Sequence, residues 1–347
     1  MENTSLPNTS RQSGIVLFIV GAIFILTVSF LFVRSIYFRP LENLAQPTRI
    51  TVEPGSSFAS ILASLEDSAV VTNPQVLRLM ARVTGAAASI QAGEYELQPG
   101  ISSAGLLALL VEGNTVQYRV TLIEGWNLQQ VLDALSREES IEQTLFDISS
   151  SELAQLLGTD YSSAEGLIHP ETYFYSRGTS DIDILRRARN RQQEILDNAW
   201  ENRLGALPYD DPYDALIMAS IIEKESGVSS EKGHIAGVFV RRLEQGMRLQ
   251  SDPTIIYGLG DRYTGDITRE HIREETAYNT YRINGLPPTP IAMAGTDSLL
   301  ASLNPIESDY LYFVADGSGG HQFSATLEEH NAAVDLYQRS LTEELSN

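Results

Sequence analysis

The amino-acid sequence predicts an α+β protein with one membrane-spanning helix at its N-terminus. Three observations support this prediction. Residues 14–33 form an uncharged apolar run. Residues 48–136 repeat the order strand, glycine, polar cap and amphipathic helix three times, without a fixed period. From residue 139 onward the pattern is mainly helical, with a loop at 165–180 and a strand at 310–316. We therefore expect a small α+β module followed by a mixed α+β domain.

The apolar run GIVLFIVGAIFILTVSFLFV is long enough to cross a bilayer, because about 20 residues at 1.5 Å rise span the hydrocarbon core. It is longer than the apolar core of a signal peptide, and no small-residue cleavage site follows it. The sequence therefore predicts a retained anchor at 14–34, preceded by a short segment at 1–13.

The orientation of this anchor is left open by its flanking charges. One arginine precedes the run and three follow it closely, namely Arg11 before it and Arg34, Arg39 and Arg49 after it. This distribution alone favours a cytoplasmic location for the large domain. Long domains, however, cross membranes largely regardless of such charges.

Two prolines and little periodicity predict a linker at 35–47. The module at 48–113 then starts with a strand, a Pro-Gly turn and a helix capped by Ser56 or Ser57. A second helix follows at 74–83, and a further strand, turn and helix complete the module. The rest of the chain, 114–347, is the predicted second domain.

The composition excludes several classes of function. The formal net charge is -21, which argues against binding to nucleic acid or to an anionic membrane surface. The chain has no cysteine, so disulfides, cysteine zinc sites and thiol catalysis are excluded. Its five histidines have no ligand-like spacing, and no metal site is expected. The glycine-rich segments lack the context of a phosphate loop and are interpreted as turns.

The segment IIEKESG, residues 221–227, places two glutamates at the end of a predicted helix. This helix is expected to be capped by Asp210 or Asp211 and to end at Gly227. Glu225 continues an apolar stripe of the helix, whereas Glu223 lies on another side. Burial and the negative end of the helix dipole would both raise the pKa of Glu225, as a general acid requires. A glutamate in the last turn of a helix is, however, usually just exposed.

Several segments resemble one known family. Residues 218–260 closely resemble the central motif of the YceG-like endolytic murein transglycosylases, and so do residues 278–295 and 311–331. EGLIHPETYFY, at 165–175, is similar to the family's EG-x-x-x-P-[DE]-T-Y segment, although His169 and Glu171 stand where the family more often has an aromatic residue and Asp. The module at 48–113 resembles the family's LysM-like module.

This resemblance implies a single-pass inner-membrane enzyme with a cytoplasmic N-terminus and a periplasmic catalytic domain at 114–347. The enzyme would cut nascent peptidoglycan strands internally, in association with peptidoglycan synthases, and would need no metal or cofactor. The family's catalytic glutamate falls on Glu225, and Ser226 follows it as in other lytic transglycosylases. The matching motifs also imply a glycan groove lined by five residues: Gln250, Asp252, Tyr257, Asn279 and Tyr281.

Two other functions remain open at this point. A hydrolytic muramidase would need a second carboxylate, for which only Asp252 and Glu171 are candidates. A non-catalytic peptidoglycan-binding scaffold would need no carboxylate at all. Tyr257, Tyr278 and Tyr281 are compatible with sugar stacking or with a place in the core, and the proline-rich segment at 284–291 with a rigid wall or a loop.

Overall fold

The computed structural model describes residues 9–209 and 211–344, and side chains between residues 16 and 337 except at 210. Asp210, one of the two expected caps, lies outside the described residues. The chain divides into two compact units. Unit 1 comprises residues 1–118 and 176–178, and unit 2 comprises residues 119–175 and 179–347.

Unit 1 begins with a long helix and continues as two strands and three helices. Its elements are α1 Thr9–Phe38, β1 Thr48–Val52, α2 Phe58–Asp67, α3 Pro74–Thr84, β2 Gly93–Leu97 and α4 Ser103–Glu112. β1 and β2 pair antiparallel, with Ile50 opposite Tyr95. Ser57 caps α2 by accepting a hydrogen bond from the N–H of Ser60. The order strand, two helices, strand follows the sequence prediction for this module.

Helix α1 contains one stretch that is long and apolar enough to cross a membrane, Val16–Phe38. Most of its large side chains are more than half exposed within this chain, as a lipid-facing surface would be. The helix does not end in a free linker, however. Tyr37 in its last turn, and Leu41 and Leu44 after it, are buried in the core of unit 1 together with residues of α2, α3 and α4.

A buried carboxylate holds residues 176–178 in unit 1. Glu94 on β2 accepts hydrogen bonds from Arg177 Nε at 2.8 Å and from the Tyr118 hydroxyl at 2.5 Å. Arg49 lies 3.5 Å from its other oxygen. Burial alone would raise the pKa of Glu94, but these three partners hold it below its usual value.

Unit 2 is mainly helical, and its strands form short two-stranded sheets. Its helices are α5 Leu128–Ser136, α6 Ser150–Leu156, α7 Asp181–Glu201, α8 Pro212–Glu225, α9 Ser229–Glu244, α10 Asp252–Leu259, α11 Arg269–Arg273, α12 Thr296–Leu303 and α13 Leu327–Glu344. The strands that complete the chain are β3 Gln117–Thr121, β4 Ile141–Glu142, β5 Thr172–Ser176, β6 Thr179–Ser180, β7 Tyr312–Ala315 and β8 His321–Ser324. β3 pairs with β5, β4 runs parallel to β6, and β7 runs antiparallel to β8.

The core of unit 2 is built around α8. Every residue from Ala215 to Ile222 is buried, so this helix is covered on all sides rather than on one stripe. It packs against α7, α9, α10 and α12. Asp211 caps it by accepting from the N–H of Tyr213, and Pro212 occupies the first turn. A central helix that is buried to its last turn fixes the position of whatever side chains lie at its end.

Candidate active site

The end of α8 carries two glutamates that point to different environments. Glu223 accepts two hydrogen bonds from Lys232 Nζ on α9, both at 3.1 Å. It also accepts from the N–H of Gly295 at 3.0 Å and from the Ser298 hydroxyl at 2.6 Å. Both side chains of the ion pair are about 5% exposed, at 5% for Lys232 and 6% for Glu223. Glu223 is therefore a structural carboxylate that joins α8, α9 and α12.

Glu225 instead faces a cavity of about 480 Å³. Its Oε1 accepts a short hydrogen bond from the Ser251 hydroxyl. Burial raises the pKa of Glu225 to about 7, the Ser251 hydrogen bond opposes this shift, and the negative charge of Asp252 adds to it. The positive charge of Arg242, and that of His321 when its ring is protonated, oppose the shift more weakly. A carboxyl group with this pKa exists in both protonation states near neutral pH, which suits proton transfer.

The loop before α10 brings Ser251 to Glu225. Thr280 accepts from the Ser251 N–H at 2.9 Å, and its own N–H and carbonyl bond to Thr254 and to the Gln250 N–H. Gln250 itself has φ +53°, a conformation that costs a non-glycine residue energy. The threonine bonds hold the backbone in place, so that Gln250 and Asp252 both line the Glu225 cavity.

The opposite wall of the Glu225 cavity comes from β7, β8 and α13, including Tyr312, His321 and His330. His321 Nδ1 lies 2.8 Å from Glu231 Oε2, and its backbone N–H donates to Glu231 Oε1 at 2.9 Å. Burial alone would raise the pKa of Glu231, but these bonds keep it below its usual value. With an ionised Glu231 accepting at Nδ1, the ring presents its other nitrogen away from that carboxylate.

Arg242 adds a buried positive charge to the lining of the Glu225 cavity. Its Nε donates to the Leu311 carbonyl and its Nη1 to the Leu249 carbonyl, both at 2.7 Å. Its guanidinium carbon lies 5.2 Å from the centre of the Tyr312 ring. These bonds tie α9 to β7 and to the loop before α10. The charge of Arg242 also favours the ionised form of Glu225.

The structure groups only part of the predicted glycan-binding set around Glu225. Gln250, Asp252 and Tyr281 line its cavity, and the Tyr281 hydroxyl donates to Asp252 Oδ1 at 2.7 Å. Tyr257 lines two other cavities of unit 2. Asn279 is buried at 1% exposure, where its amide donates to the carbonyls of residues 271, 272 and 274. Asn279 thus shapes a loop.

Three other residues singled out in the sequence do not line the Glu225 cavity. Ser226 is buried and accepts from the N–H of Val228 at 3.0 Å, while its hydroxyl donates to Glu231 at 3.4 Å. His169 is buried, with Nδ1 2.7 Å from Gln192 Oε1. Glu171 is exposed and is absent from the lining of the Glu225 cavity. Asp252 is therefore the other carboxylate in this cavity among the residues that the structure describes.

Sequence reasoning missed four residues of the site: Ser251, Arg242, His321 and Glu231. The histidines were tested only for spacings that suit metal ligands, and within the described residues no group of histidine and carboxylate side chains could hold a metal ion. Arg242 could have been found from the sequence, because a charged residue that interrupts the apolar pattern of a helix indicates a buried charge. Ser251 had none beyond its position between Gln250 and Asp252.

Comparison with known proteins gives three kinds of match. The profile of the YceG-like family matches residues 50–336. An endolytic murein transglycosylase of Bacillus subtilis is 28% identical over 333 residues, which cover 91% of each chain. One of Streptococcus pneumoniae is 26% identical over 323 residues, 83% of this chain and 57% of that protein.

A solved structure is also similar to this chain. It is the 2.6 Å crystal structure of a YceG-like protein from Listeria monocytogenes, with 28% identity and a TM-score of 0.48. The match covers 83% of this chain and 98% of that chain.

Proposed function

Because the chain belongs to the YceG-like family and is an endolytic murein transglycosylase, a lyase, we propose that Glu225 is its general acid and base. The observation that carries this proposal is the position of Glu225. It is the last residue of a buried helix, it faces a cavity, and its pKa is raised to about 7. Glu223, two residues before it, is fully occupied by an ion pair and has no access to the cavity.

The proposed reaction cuts the β-1,4 bond between MurNAc and GlcNAc without water. Protonated Glu225 donates its proton to the glycosidic oxygen, and the bond from that oxygen to MurNAc C1 breaks. Positive charge develops at C1, as in other glycosidic cleavages. The C6 hydroxyl of the same MurNAc then bonds to C1, and its proton returns to Glu225. The products are a free GlcNAc 4-hydroxyl and a 1,6-anhydroMurNAc end, and Glu225 is protonated again.

The neighbours of Glu225 support both halves of this cycle. Burial and the nearby Asp252 favour the protonated acid before cleavage. The Ser251 hydrogen bond and the charge of Arg242 favour the carboxylate that forms afterwards. Opposing influences of this kind keep the pKa close to neutral, which is where a group that must both give and take a proton works best.

A hydrolytic muramidase is the second candidate, because Asp252 shares the cavity and could activate a water molecule. The two reactions differ in the atoms of their products. We expect the full chain in detergent, incubated with uncrosslinked glycan strands in ¹⁸O-enriched water, to release anhydro-ended fragments that contain no ¹⁸O. Mass spectrometry of the new ends checks this. Fragments heavier by one ¹⁸O-containing water would assign the reaction to a muramidase.

We expect the pH dependence of cleavage to follow the Glu225 carboxyl. Its pKa of about 7 means that the acid form dominates below pH 7. We therefore expect kcat/KM to fall about tenfold per pH unit well above 7. In Asp252→Asn the midpoint should move to lower pH, because the removed negative charge had raised the pKa of Glu225. A midpoint that is unchanged in this variant would contradict the assignment, whatever the size of its rate.

Unit 1 and the anchor complete the proposal. We infer that α1 is a single-pass anchor in the inner membrane, that the enzyme works in the periplasm, and that it acts beside peptidoglycan synthases. We further infer that residues 48–113 form a LysM-like module that binds glycan. The order β1, α2, α3, β2 with an antiparallel strand pair supports the last inference. The domain boundaries at 34, 47 and 113 remain part of this proposal.

A further inference from the structure

Unit 2 has a second and larger cavity, of about 810 Å³, next to the one that contains Glu225. We call it the Lys224 cavity. Its walls come from the start of α5, the last turn of α8, and α10 with the residues that follow it. Lys224, Ile256, Tyr257 and Tyr263 are among the lining residues.

At two places in the chain, neighbouring residues line different cavities. Glu225 lines the first cavity and Lys224, the residue before it, lines the second. Asp252 lines the first and Pro253, the residue after it, lines the second. Consecutive Cα atoms are about 3.8 Å apart, so the last turn of α8 and the start of α10 each border both cavities. An enzyme that cuts strands internally must hold sugars on both sides of the bond that breaks.

The lining of the Lys224 cavity suits a saccharide. The rings of Tyr257 and Tyr278 lie 4.9 Å apart between centres and form a joint aromatic surface. Their hydroxyls are fixed, by Glu165 at 3.1 Å and by Thr289 at 2.8 Å, so the rings are held in place before a ligand arrives. Asn127 and Gln129 add amide groups at the rim. Apolar ring faces combined with a few polar groups are the usual recognition surface of a small-molecule or sugar site.

Lys224 adds a positive charge. It is one of two lysines in a chain of net charge -21, and the other, Lys232, is buried in its pair with Glu223. Lys224 is exposed and donates to the Gly125 carbonyl at 3.1 Å. Within the described part of the chain it forms no ion pair with a carboxylate. An ammonium group has three donors, so donors remain for a ligand.

Two acidic groups also line the Lys224 cavity. Glu165 is buried at 4% exposure, its burial raises its pKa to about 7, and it accepts from Tyr257 and from the N–H of Leu128. Asp261 is exposed at the rim. Among the lining residues that the structure describes, Lys224 is the one cation.

We propose that the Lys224 cavity holds the sugars on one side of the cut, and that Lys224 pairs with a carboxylate of the peptide stem on MurNAc. This inference rests on the proposed function and adds a specificity to it. In a strongly acidic protein, an anionic stem is repelled unless a local positive charge compensates. The enzyme therefore selects glycan that still carries its stems over glycan from which they have been removed.

The test compares two substrates with the full chain in detergent. One is uncrosslinked glycan with intact stems, and the other is the same glycan after an amidase has removed the stems. The readout is the ratio of kcat/KM for the two. We expect the wild type to prefer stem-bearing strands about fivefold, the effect of one partly exposed ion pair. Lys224→Met should lower this ratio to about one, and Lys224→Arg should restore it.

The matched control is Arg186→Met, which removes an exposed cation from α7 away from both cavities and should leave the ratio as in the wild type. The preference should also weaken at high salt, since exposed pairs are screened. A wild type without preference, or a Lys224→Met variant that keeps it, would overturn the inference while the enzyme still cuts both strands. A wild type that cuts neither strand would instead contradict the proposed function.

Discussion

Glu225→Gln is expected to lower the rate of glycan cleavage by about a thousandfold or more. General acid–base catalysis contributes about 10² to 10⁴ in rate, and in this reaction one carboxyl group serves both proton transfers. Glutamine keeps the size of the side chain and can still accept from the Ser251 hydroxyl, but it cannot give up a proton. The measurement is the rate at which anhydro ends form from uncrosslinked strands, at pH 6 where the wild type should be most active.

The neighbouring helix offers a control for this variant. Glu244 is the last helical residue of α9, as Glu225 is of α8, but it is exposed. Glu244→Gln therefore makes the same chemical change at the same position of a helix, and it should retain wild-type activity. Binding of strands by Glu225→Gln should persist. A Glu225→Gln variant that cuts at a rate within tenfold of the wild type would leave a binding scaffold or another acid as the explanation.

Lys232→Met is expected to destabilise unit 2 by about 3–5 kcal/mol, because it leaves the carboxylate of Glu223 buried without its cation. The Gly295 N–H and the Ser298 hydroxyl would still bond to that carboxylate, but neither carries a charge. The loss should appear in urea unfolding followed by tryptophan fluorescence. Both tryptophans, Trp126 and Trp200, belong to unit 2, so the signal reports on that unit.

The double variant Glu223→Gln with Lys232→Met distinguishes the effect of the unpaired charge from the effect of lost side-chain packing. It removes both charges and should recover most of the lost stability, since well-packed neutral groups often replace a buried ion pair at little cost. If the double variant is as unstable as Lys232→Met alone, the destabilisation comes from lost packing of the lysine stem and not from the unpaired carboxylate.

The sequence predicted local features of the site well and long-range ones poorly. The start of α8 at Asp211 and Pro212 follows from capping preferences, which depend on neighbouring residues. The start of α9 does not follow capping preferences: Val228 is its N-cap, and the hydroxyl of the neighbouring Ser229 donates to Asp297 at 2.5 Å. A partner 68 residues away competed for that hydroxyl, and nothing near Ser229 in the sequence reveals it.

The same distinction applies to Glu225. Helical spacing indicated that Glu225 and Glu223 face different sides, and it left Glu223 as either solvated or paired. The burial of Glu223 and its ion pair depend on Lys232 and on α12, which folding brings together. Ser251 reaches Glu225 only because Thr280 holds its loop. The linker at 35–47 was predicted from two prolines and little periodicity, yet Leu41 and Leu44 join the core of unit 1.

The junction between α1 and the rest of unit 1 has a consequence for the proposed membrane anchor. When a flexible linker joins a membrane helix to a domain, the domain can reorient independently of the helix. Here Tyr37, at the end of the helix, is part of the domain's own core. The end of α1 and the rest of unit 1 are therefore expected to move together as one rigid body. A transmembrane helix tilts when the bilayer becomes thinner. For the anchor proposed above, such a tilt would turn unit 1 with the helix, and the thickness of the membrane would set the orientation of unit 1.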